Sequence, residues 1–468
     1  MEFRVALTFL FLYYIRPQDW LPGFAGTNVI KPLIAIWLTS LFLQRERPRS
    51  HIGLLRTPHD WILLGYFIYV VFTAPDFKGT LFGFLPLVIF YVLTLKSLTS
   101  WERILTYIKW WNAMLVGIAL LALMSLFGID PTGAVAATLS NLGRLCIGTY
   151  MHDNPNALGH SVAVVIPLSY ILYFWRGDSI GRFMICPALY VIAGWCIYLT
   201  QSKGAFLVSA VSLLIGFFVG RPKIVQLGAI ILALSVGVSA LSFLPRMNEM
   251  GNVRKSPGVA GRLMAWEIAR NVSKTQPTGR GWGQFRAYII WEHETQYKAT
   301  HSSYVQVAAD LGMYGMFFFV AVMWCGGKTL LIMAPYVRDN PLRERCRRAM
   351  MVQLLSFVIS GWMINREYFA EYFLLLAVTA AMHRLMKEEE LEALAAHAAE
   401  PAVVEAAPSL SEGAVLVAGG GSSSLVRDWI ERGIKFPLWN KYGVLDFGVS
   451  VFLTWLVFYI WDYLLKNI

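Results

Sequence analysis

Apolar runs of membrane-spanning length recur along almost the whole of this 468-residue chain. The hydrocarbon core of a bilayer is about 30 Å thick, and roughly 20 apolar helical residues cross it. Such runs, separated by polar stretches, predict an all-α polytopic integral membrane protein with about 12–13 transmembrane helices. The predicted segments are residues 3–15, 28–43, 60–75, 79–96, 110–128, 156–175, 183–200, 203–220, 224–244, 303–333, 348–364, 368–386 and 444–465.

The composition excludes a soluble domain, since 57% of the residues are hydrophobic and only 15% are charged. No cleavage site follows the first apolar run, which favours a membrane segment over a signal peptide. The five cysteines show no CxxC spacing, so we expect neither a disulfide framework nor a metal site. The positive-inside rule explains the net charge of +11, and we expect no nucleic-acid partner.

Lysine and arginine cluster in alternate connections between the apolar runs. Basic clusters follow the second, fourth, sixth, eighth and tenth segments, which places these connections and the N-terminus in the cytoplasm. After a membrane core at 1–386, residues 387–440 include a Gly-Gly-Gly-Ser-Ser-Ser run typical of a flexible cytoplasmic linker. Residues 441–468 are predicted to form a C-terminal transmembrane helix. We interpret this tail as a linker and an anchor, without a part in chemistry.

The longest connection, residues 245–302, breaks the charge rule. It lies on the predicted non-cytoplasmic side, yet it carries nine cations against four glutamates. An anionic ligand would explain the surplus; alternatively, long loops are exempt from the charge bias. The cations are Arg246, Arg254, Lys255, Arg262, Arg270, Lys274, Arg280, Arg286 and Lys298.

Two motifs open helices at the predicted outer face. Asn154 and Asn156 flank Pro155 at the start of the sixth segment, a pattern typical of an ordinary helix cap. Exposed amides at such a helix start also bind anions. Lys203 sits in Thr-Gln-Ser-Lys-Gly between two apolar runs. It either snorkels to the membrane edge or binds a ligand, and we favour the ligand.

Further candidates lie in and after the long loop. Arg262 and Trp266 are four residues apart and share a helix face. The planar guanidinium of Arg262 matches phosphate oxygens. The glycine-rich bend that carries Arg280 permits close approach of the backbone to a ligand, with a plain loop as the favoured alternative. His301 precedes the next apolar segment and is suited to proton exchange near neutral pH, unless it is only an interfacial residue. We expect it to share a helical face with Gly312.

Remaining polar residues complete the candidate set. Tyr304 follows His301 in His-Ser-Ser-Tyr, and Arg366 and Glu367 occupy another membrane edge. The outer connections contain no Asp-x-Asp motif of the metal-dependent glycosyltransferase kind. We therefore expect no metal and no cofactor, with cationic side chains neutralising the anion instead.

Together these motifs resemble the O-antigen ligase and O-antigen polymerase superfamily. The resemblance covers about residues 110–385, in the family's order. An opening Arg-Pro-Gln-Asp-Trp-Leu-Pro at 16–22 is also similar to putative O-glycosylation ligases found beside exosortase systems. The motifs are Asp153-Asn-Pro-Asn156, Thr200-Gln-Ser-Lys-Gly204, Gly261-Arg-Leu-Met-Ala-Trp266, Gly279-Arg-Gly-Trp-Gly283 and His301 with Gly312.

This resemblance implies a GT-C-like glycosyltransferase of the bacterial inner membrane with a periplasmic active site. It would move a glycan from undecaprenyl pyrophosphate to a glycan, lipid or protein acceptor. The catalytic candidates are His301 and Arg262, and the pyrophosphate-binding candidates are Lys203, Arg280 and Arg366. Lys203 stands where the family usually has arginine. Lysine keeps the positive charge but cannot make the bidentate hydrogen bonds to phosphate that arginine makes. Trp266 stands where ligases often have leucine, which leaves ligase and polymerase open.

A lipid-linked glycan transporter or flippase is the rival reading. Its charged residues would lie along a path near the membrane midplane. The sequence instead places them at the outer rim, and we expect the membrane cores to carry almost no ionisable groups. A scaffold in a polysaccharide-assembly complex is a third reading, but it leaves the basic outer loop unexplained.

Overall fold

The computed structural model describes residues 1–43, 54–243, 257–286, 289, 299–399 and 441–467. Arg246, Arg254, Lys255 and Lys298 of the basic loop lie outside these residues, as does most of the predicted linker. All regular structure within the described ranges is helical. The helices are α1 Glu2–Tyr14, α2 Pro17–Trp20, α3 Ile30–Phe42, α4 Pro58–Phe72, α5 Phe77–Ser97, α6 Trp101–Met124, α7 Ala134–Ser140, α8 Pro155–Ala163, α9 Val165–Ser169, α10 Cys186–Thr200, α11 Lys203–Phe218, α12 Lys223–Phe243, α13 Pro257–Thr275, α14 Ser303–Ile332, α15 Ala334–Val337, α16 Pro341–Ser360, α17 Ala370–Ala399 and α18 Val444–Asn467.

Each predicted apolar segment coincides with a helix or with consecutive helices. The largest boundary differences are at α6, α16 and α17, where polar turns extend the helix beyond its apolar part. In the described ranges, six helical stretches are long and apolar enough to cross a bilayer. These are Phe77–Ser97, Trp101–Phe127, Pro155–Phe174, Gly181–Thr200, Ser303–Ile332 and Val444–Asn467. The prediction of an all-α polytopic membrane protein is therefore confirmed.

Helix α14 is broken about one third of the way along, at Gly312, whose φ of 65° and ψ of −163° are not helical. The glycine-rich turn that carries Arg280 fills the break. The backbone amides of Arg280 and Gly281 donate to the carbonyl oxygens of Ala309 and Asp310, at 3.2 and 2.6 Å. A Cβ on Gly312 would lie 2.0 Å from the carbonyl oxygen of Pro277. Glycine is needed here both for its conformation and for this close approach.

This arrangement overturns the expectation that His301 shares a helical face with Gly312. Helix α14 begins only at Ser303, with Ser302 as its N-cap. His301 lies before the cap and has a left-handed φ of 48°. Helical periodicity therefore does not apply between the two residues, because one precedes the helix and the other interrupts it.

The expectation that the membrane cores carry almost no ionisable groups stays a prediction, but several described helices bury ionisable side chains, among them Asp60 and Asp446 in the first turns of their helices. The Asp60 carboxylate accepts a 2.6 Å hydrogen bond from Arg384 and is 5% exposed. Lys328 donates at 2.6 Å to Asp446, and Asp310 is fully buried within α14. The two ion pairs join sequence-distant helices, a contact that a hydropathy pattern cannot show. Pairing offsets much of the cost of burying each charge.

Candidate active site at the start of α14

Helix α13 from the basic loop packs against the segment that leads into α14. Trp266 donates from Nε1 to the carbonyl oxygen of Thr300 at 2.7 Å. Its ring lies 6.3 Å from that of Trp362, which in turn lies 4.8 Å from the ring of Tyr304. The Tyr304 hydroxyl donates to the carbonyl oxygen of Val358 at 2.8 Å. Trp266 and Tyr304 therefore fix α13 and the start of α14 in place.

His301 is held between two anchored neighbours. Thr300 is buried and hydrogen-bonds to Gln306 and Asn365 through its hydroxyl. Ser302 caps α14 and donates to the carbonyl oxygen of Gly361 at 3.1 Å. Because the backbone is fixed on both sides, the left-handed conformation of His301 is imposed by its surroundings. The imidazole keeps a defined position although it lies in a connection.

Arg262 and His301 lie close enough for their charges to interact. Burial, reinforced by the positive charge of Arg262, lowers the pKa of His301 to about 4. Burial also lowers the pKa of Arg262. At neutral pH the imidazole is therefore neutral beside a positive guanidinium. Within the described ranges, Arg262 makes no hydrogen bond and faces no carboxylate.

His160 extends this cluster toward Lys203. The charge of Arg262 also acts on His160, whose Nδ1 lies 3.0 Å from the Ser360 hydroxyl. The other side of the ring faces Gly204, where a Cβ would lie 2.8 Å from Nε2. Lys203 is the first residue of α11 and directly precedes this glycine. His160 therefore lies against the motif at 200–204 and within range of the charge of Arg262.

Arg366 is buried and donates hydrogen bonds to three groups. Its guanidinium donates at 2.6 Å to Glu371 and to the Ser161 hydroxyl, and at 2.8 Å to the carbonyl oxygen of Ala157. A cavity of about 20 Å³, enough for roughly one water molecule, adjoins Arg366, Glu371 and His160. Burial raises the pKa of the neighbouring Glu367 to about 8, so this carboxyl is protonated at neutral pH.

The two asparagines, Asn154 and Asn156, make hydrogen bonds at the start of α8. The Asn154 side chain accepts a 2.9 Å hydrogen bond from the amide of Asn156, as the cap prediction requires. The Asn156 side chain accepts from Arg144 at 2.8 Å. Arg144 also donates to the carbonyl oxygen of Thr200 at 3.0 Å. These bonds tie α8 to the Lys203 turn.

The structure thus brings together some of the predicted residues and separates others. Arg262, His301, Trp266 and the Lys203 turn form one cluster. The backbone amide of Arg280 donates to Ala309, two turns into α14. At 1.5 Å per residue, this position is roughly 9 Å along the helix from Ser303. Sequence reasoning missed His160 and Arg144. The signal for His160 was its place four residues after Asn156, one turn into the same apolar helix.

A family model described as O-antigen ligase (Wzy_C) matches residues 188–320. The matched region contains α11, α12 and α13, together with Lys203, Arg262 and His301. No curated protein matches the chain. Residues 188–320 are therefore similar to the O-antigen ligase family, and this region belongs to a chain whose described residues include six helical stretches long and apolar enough to cross a membrane.

Proposed function

We propose that the protein transfers a glycan from undecaprenyl pyrophosphate to an acceptor hydroxyl on the periplasmic face of the bacterial inner membrane. The reaction is a single inverting displacement that uses no metal ion, and the N-terminus is cytoplasmic. One observation carries the proposal: the partly buried Arg262 has no carboxylate or hydrogen-bond partner in the described structure, its charge acts on His301, and its helix is bonded through Trp266 to the residue before His301 at 2.7 Å.

A partly buried and uncompensated guanidinium is costly, and an anion would relieve the cost. A diphosphate suits this position, since the arginine fork binds two phosphate oxygens at once. Lys203 adds positive charge from the first turn of α11, and Arg280 adds more from the turn at the α14 break. These cations stabilise the charge that develops on the leaving diphosphate. Arg366 donates hydrogen bonds to Glu371 and Ser161 and thereby stabilises the structure next to the site.

His301 serves as the base for the acceptor. The acceptor oxygen attacks the anomeric carbon, and its proton passes to the imidazole. The bond between the anomeric carbon and the phosphate oxygen breaks, and undecaprenyl pyrophosphate leaves with the electron pair. An imidazole of pKa about 4 is a weak base. Bound diphosphate compensates Arg262, which raises the pKa of His301 when the donor is present.

A polymerase of the same superfamily is the second candidate, because the same chemistry operates when the acceptor is another glycan chain. Mass analysis of cellular glycoconjugates after deletion separates the two. Loss of attachment supports a ligase, whereas shortened chains support a polymerase.

The test is a transfer assay with purified protein, lipid-linked glycan and acceptor, without an ion gradient. Product formation by the wild type supports an enzyme. Absence of product in this assay, together with movement of the lipid-linked glycan only when an ion gradient is applied, supports a flippase. Arg262→Ala and His301→Ala should each lose most of the product while remaining inserted. Glu267→Ala is the matched control, because Glu267 lies exposed on the same helix as Arg262. Wild-type turnover by both site variants would refute the mechanism.

A further inference from the structure

The C-terminal helix α18 is attached by a carboxylate near its start. Asp446 accepts a hydrogen bond from Lys328 at 2.6 Å and one from the indole of Trp324 at 2.9 Å. Both partners belong to α14. Asp446 is 2% exposed, so these bonds are made in a dry environment. This end of α18 is therefore fixed to the helix that follows His301.

The other end of α18 holds the loop helix α13. Arg270 of α13 donates from Nε and from Nη2 to the two carboxylate oxygens of Asp462, both at 2.7 Å. Its guanidinium also lies over the rings of Phe458 and Trp461, 5.0 and 5.7 Å from their centres. Bidentate pairing and cation–π contact both favour one guanidinium orientation. Three side chains of α18 thus hold one arginine.

Arg270 belongs to the same helix as the two site residues. Trp266 lies one turn before it, and Arg262 lies one further turn back. Over eight residues a helix rises roughly 12 Å. Because a helix is stiff over this distance, a shift at Arg270 displaces Arg262 and strains the Trp266 bond to Thr300. The position of the diphosphate-binding guanidinium therefore depends on α18.

A simple anchor would not need these carboxylates. The lipid-facing side of α18 already exposes large apolar and aromatic residues, including Phe452, Trp455 and Tyr459. Aspartate in a membrane helix costs free energy unless it has a partner. Here each aspartate is paired with a cation near a different end of the helix. The pairs specify a docking geometry that hydrophobic anchoring alone does not provide.

We propose that α18 is a positioning element of the transfer site, and that Asp462 and Arg270 are its positioning residues. Together they set the location of Arg262 relative to the donor diphosphate. The inference rests on the proposed function for the identity of the donor. It assigns a role to residues 444–467, which lie outside the region matched by the O-antigen ligase family.

The test uses Asp462→Asn, Arg270→Gln and Arg270→Lys in the full-length protein, with Tyr463→Phe as the matched control. Tyr463 is the next residue on α18 and is 57% exposed. One readout is hydrogen–deuterium exchange of residues 257–275, which needs no substrate. The other is the KM for the lipid-linked donor, measured separately from kcat.

In Asp462→Asn and Arg270→Gln we expect faster exchange across α13 and a KM for the donor raised by roughly tenfold or more. Even a displacement of Arg262 by about 1 Å should strongly weaken its interaction with the donor. Arg270→Lys keeps the charge but cannot make the bidentate pair with Asp462, so both the exchange rate of α13 and the KM for the donor should be intermediate. Tyr463→Phe should match the wild type. This ordering supports the positioning role.

Unchanged exchange across α13 would overturn the inference. A lower apparent kcat at unchanged KM would also overturn it, because that pattern reports only less folded protein. If the wild type shows no transfer at all, the proposed function fails, and the exchange data still decide whether α18 positions α13.

Discussion

Replacing Arg262 with glutamine should change the pH dependence of transfer. In the structure, burial and the charge of Arg262 lower the pKa of His301 from its ordinary 6.5 to about 4. At about 1.4 kcal/mol per pKa unit, the surroundings disfavour the imidazolium by roughly 3 kcal/mol. The variant removes the share due to Arg262 and keeps the larger share due to burial. The pKa of His301 should therefore rise, but it should stay below 6.5.

The assay is the pH profile of kcat/KM, whose acid limb reports the base of the free enzyme. At pH 5, a base of pKa about 4 is about nine-tenths deprotonated, and a base with a higher pKa is deprotonated to a smaller extent. The wild type should therefore keep most of its kcat/KM at pH 5, and Arg262→Gln should keep a smaller fraction of its own neutral-pH value. The kcat profile of the wild type should have its acid limb at higher pH, because bound diphosphate compensates Arg262.

An acid limb at the same pH in wild type and variant would refute this reasoning. So would a wild-type limb of kcat/KM near pH 6.5. The first result would show that Arg262 does not act on the base. The second would show that His301 is not desolvated in the working enzyme, or that another group accepts the proton.

Three further predictions concern the same region. Trp266→Phe removes the bond to Thr300, so we expect a loss of about 1 kcal/mol in stability and a lower kcat, measured by thermal unfolding and turnover. Gly312→Ala places a Cβ against the facing turn at a positive φ, so thermal unfolding should show a loss of roughly 1–3 kcal/mol; Gly448→Ala, with open space around its Cβ, should not. Between pH 6.5 and pH 4, His301 is protonated in the unfolded state but remains largely neutral in the folded state. The free energy of unfolding should therefore fall as the pH is lowered through this window, and less so in His301→Gln.

The sequence was most informative where local chemistry decides the structure. Apolar runs located every long membrane helix, because the bilayer imposes one length and one polarity on all of them. The cap at Asn154 followed from residue types alone, since an N-cap side chain bonds an amide only two or three residues away. Arg262 and Trp266 were placed on one helix for the same local reason.

The remaining features depend on contacts between sequence-distant segments. The left-handed backbone at His301 is imposed by the turn at 361–366, about sixty residues later. His160 meets Ser360 across two hundred residues. The ion pair between Asp462 and Arg270 joins the C-terminal helix to the basic loop. A hydropathy pattern gives the length of α18 but carries no information about which arginine its carboxylate meets.

The most direct test of the central claim is a single-turnover measurement with purified protein and lipid-linked glycan, following free undecaprenyl pyrophosphate and glycosylated acceptor together. The account predicts one lipid diphosphate released for each glycan transferred by the wild type, and almost none by Arg262→Ala. Glycan movement without release of the diphosphate, or full release by Arg262→Ala, would contradict it.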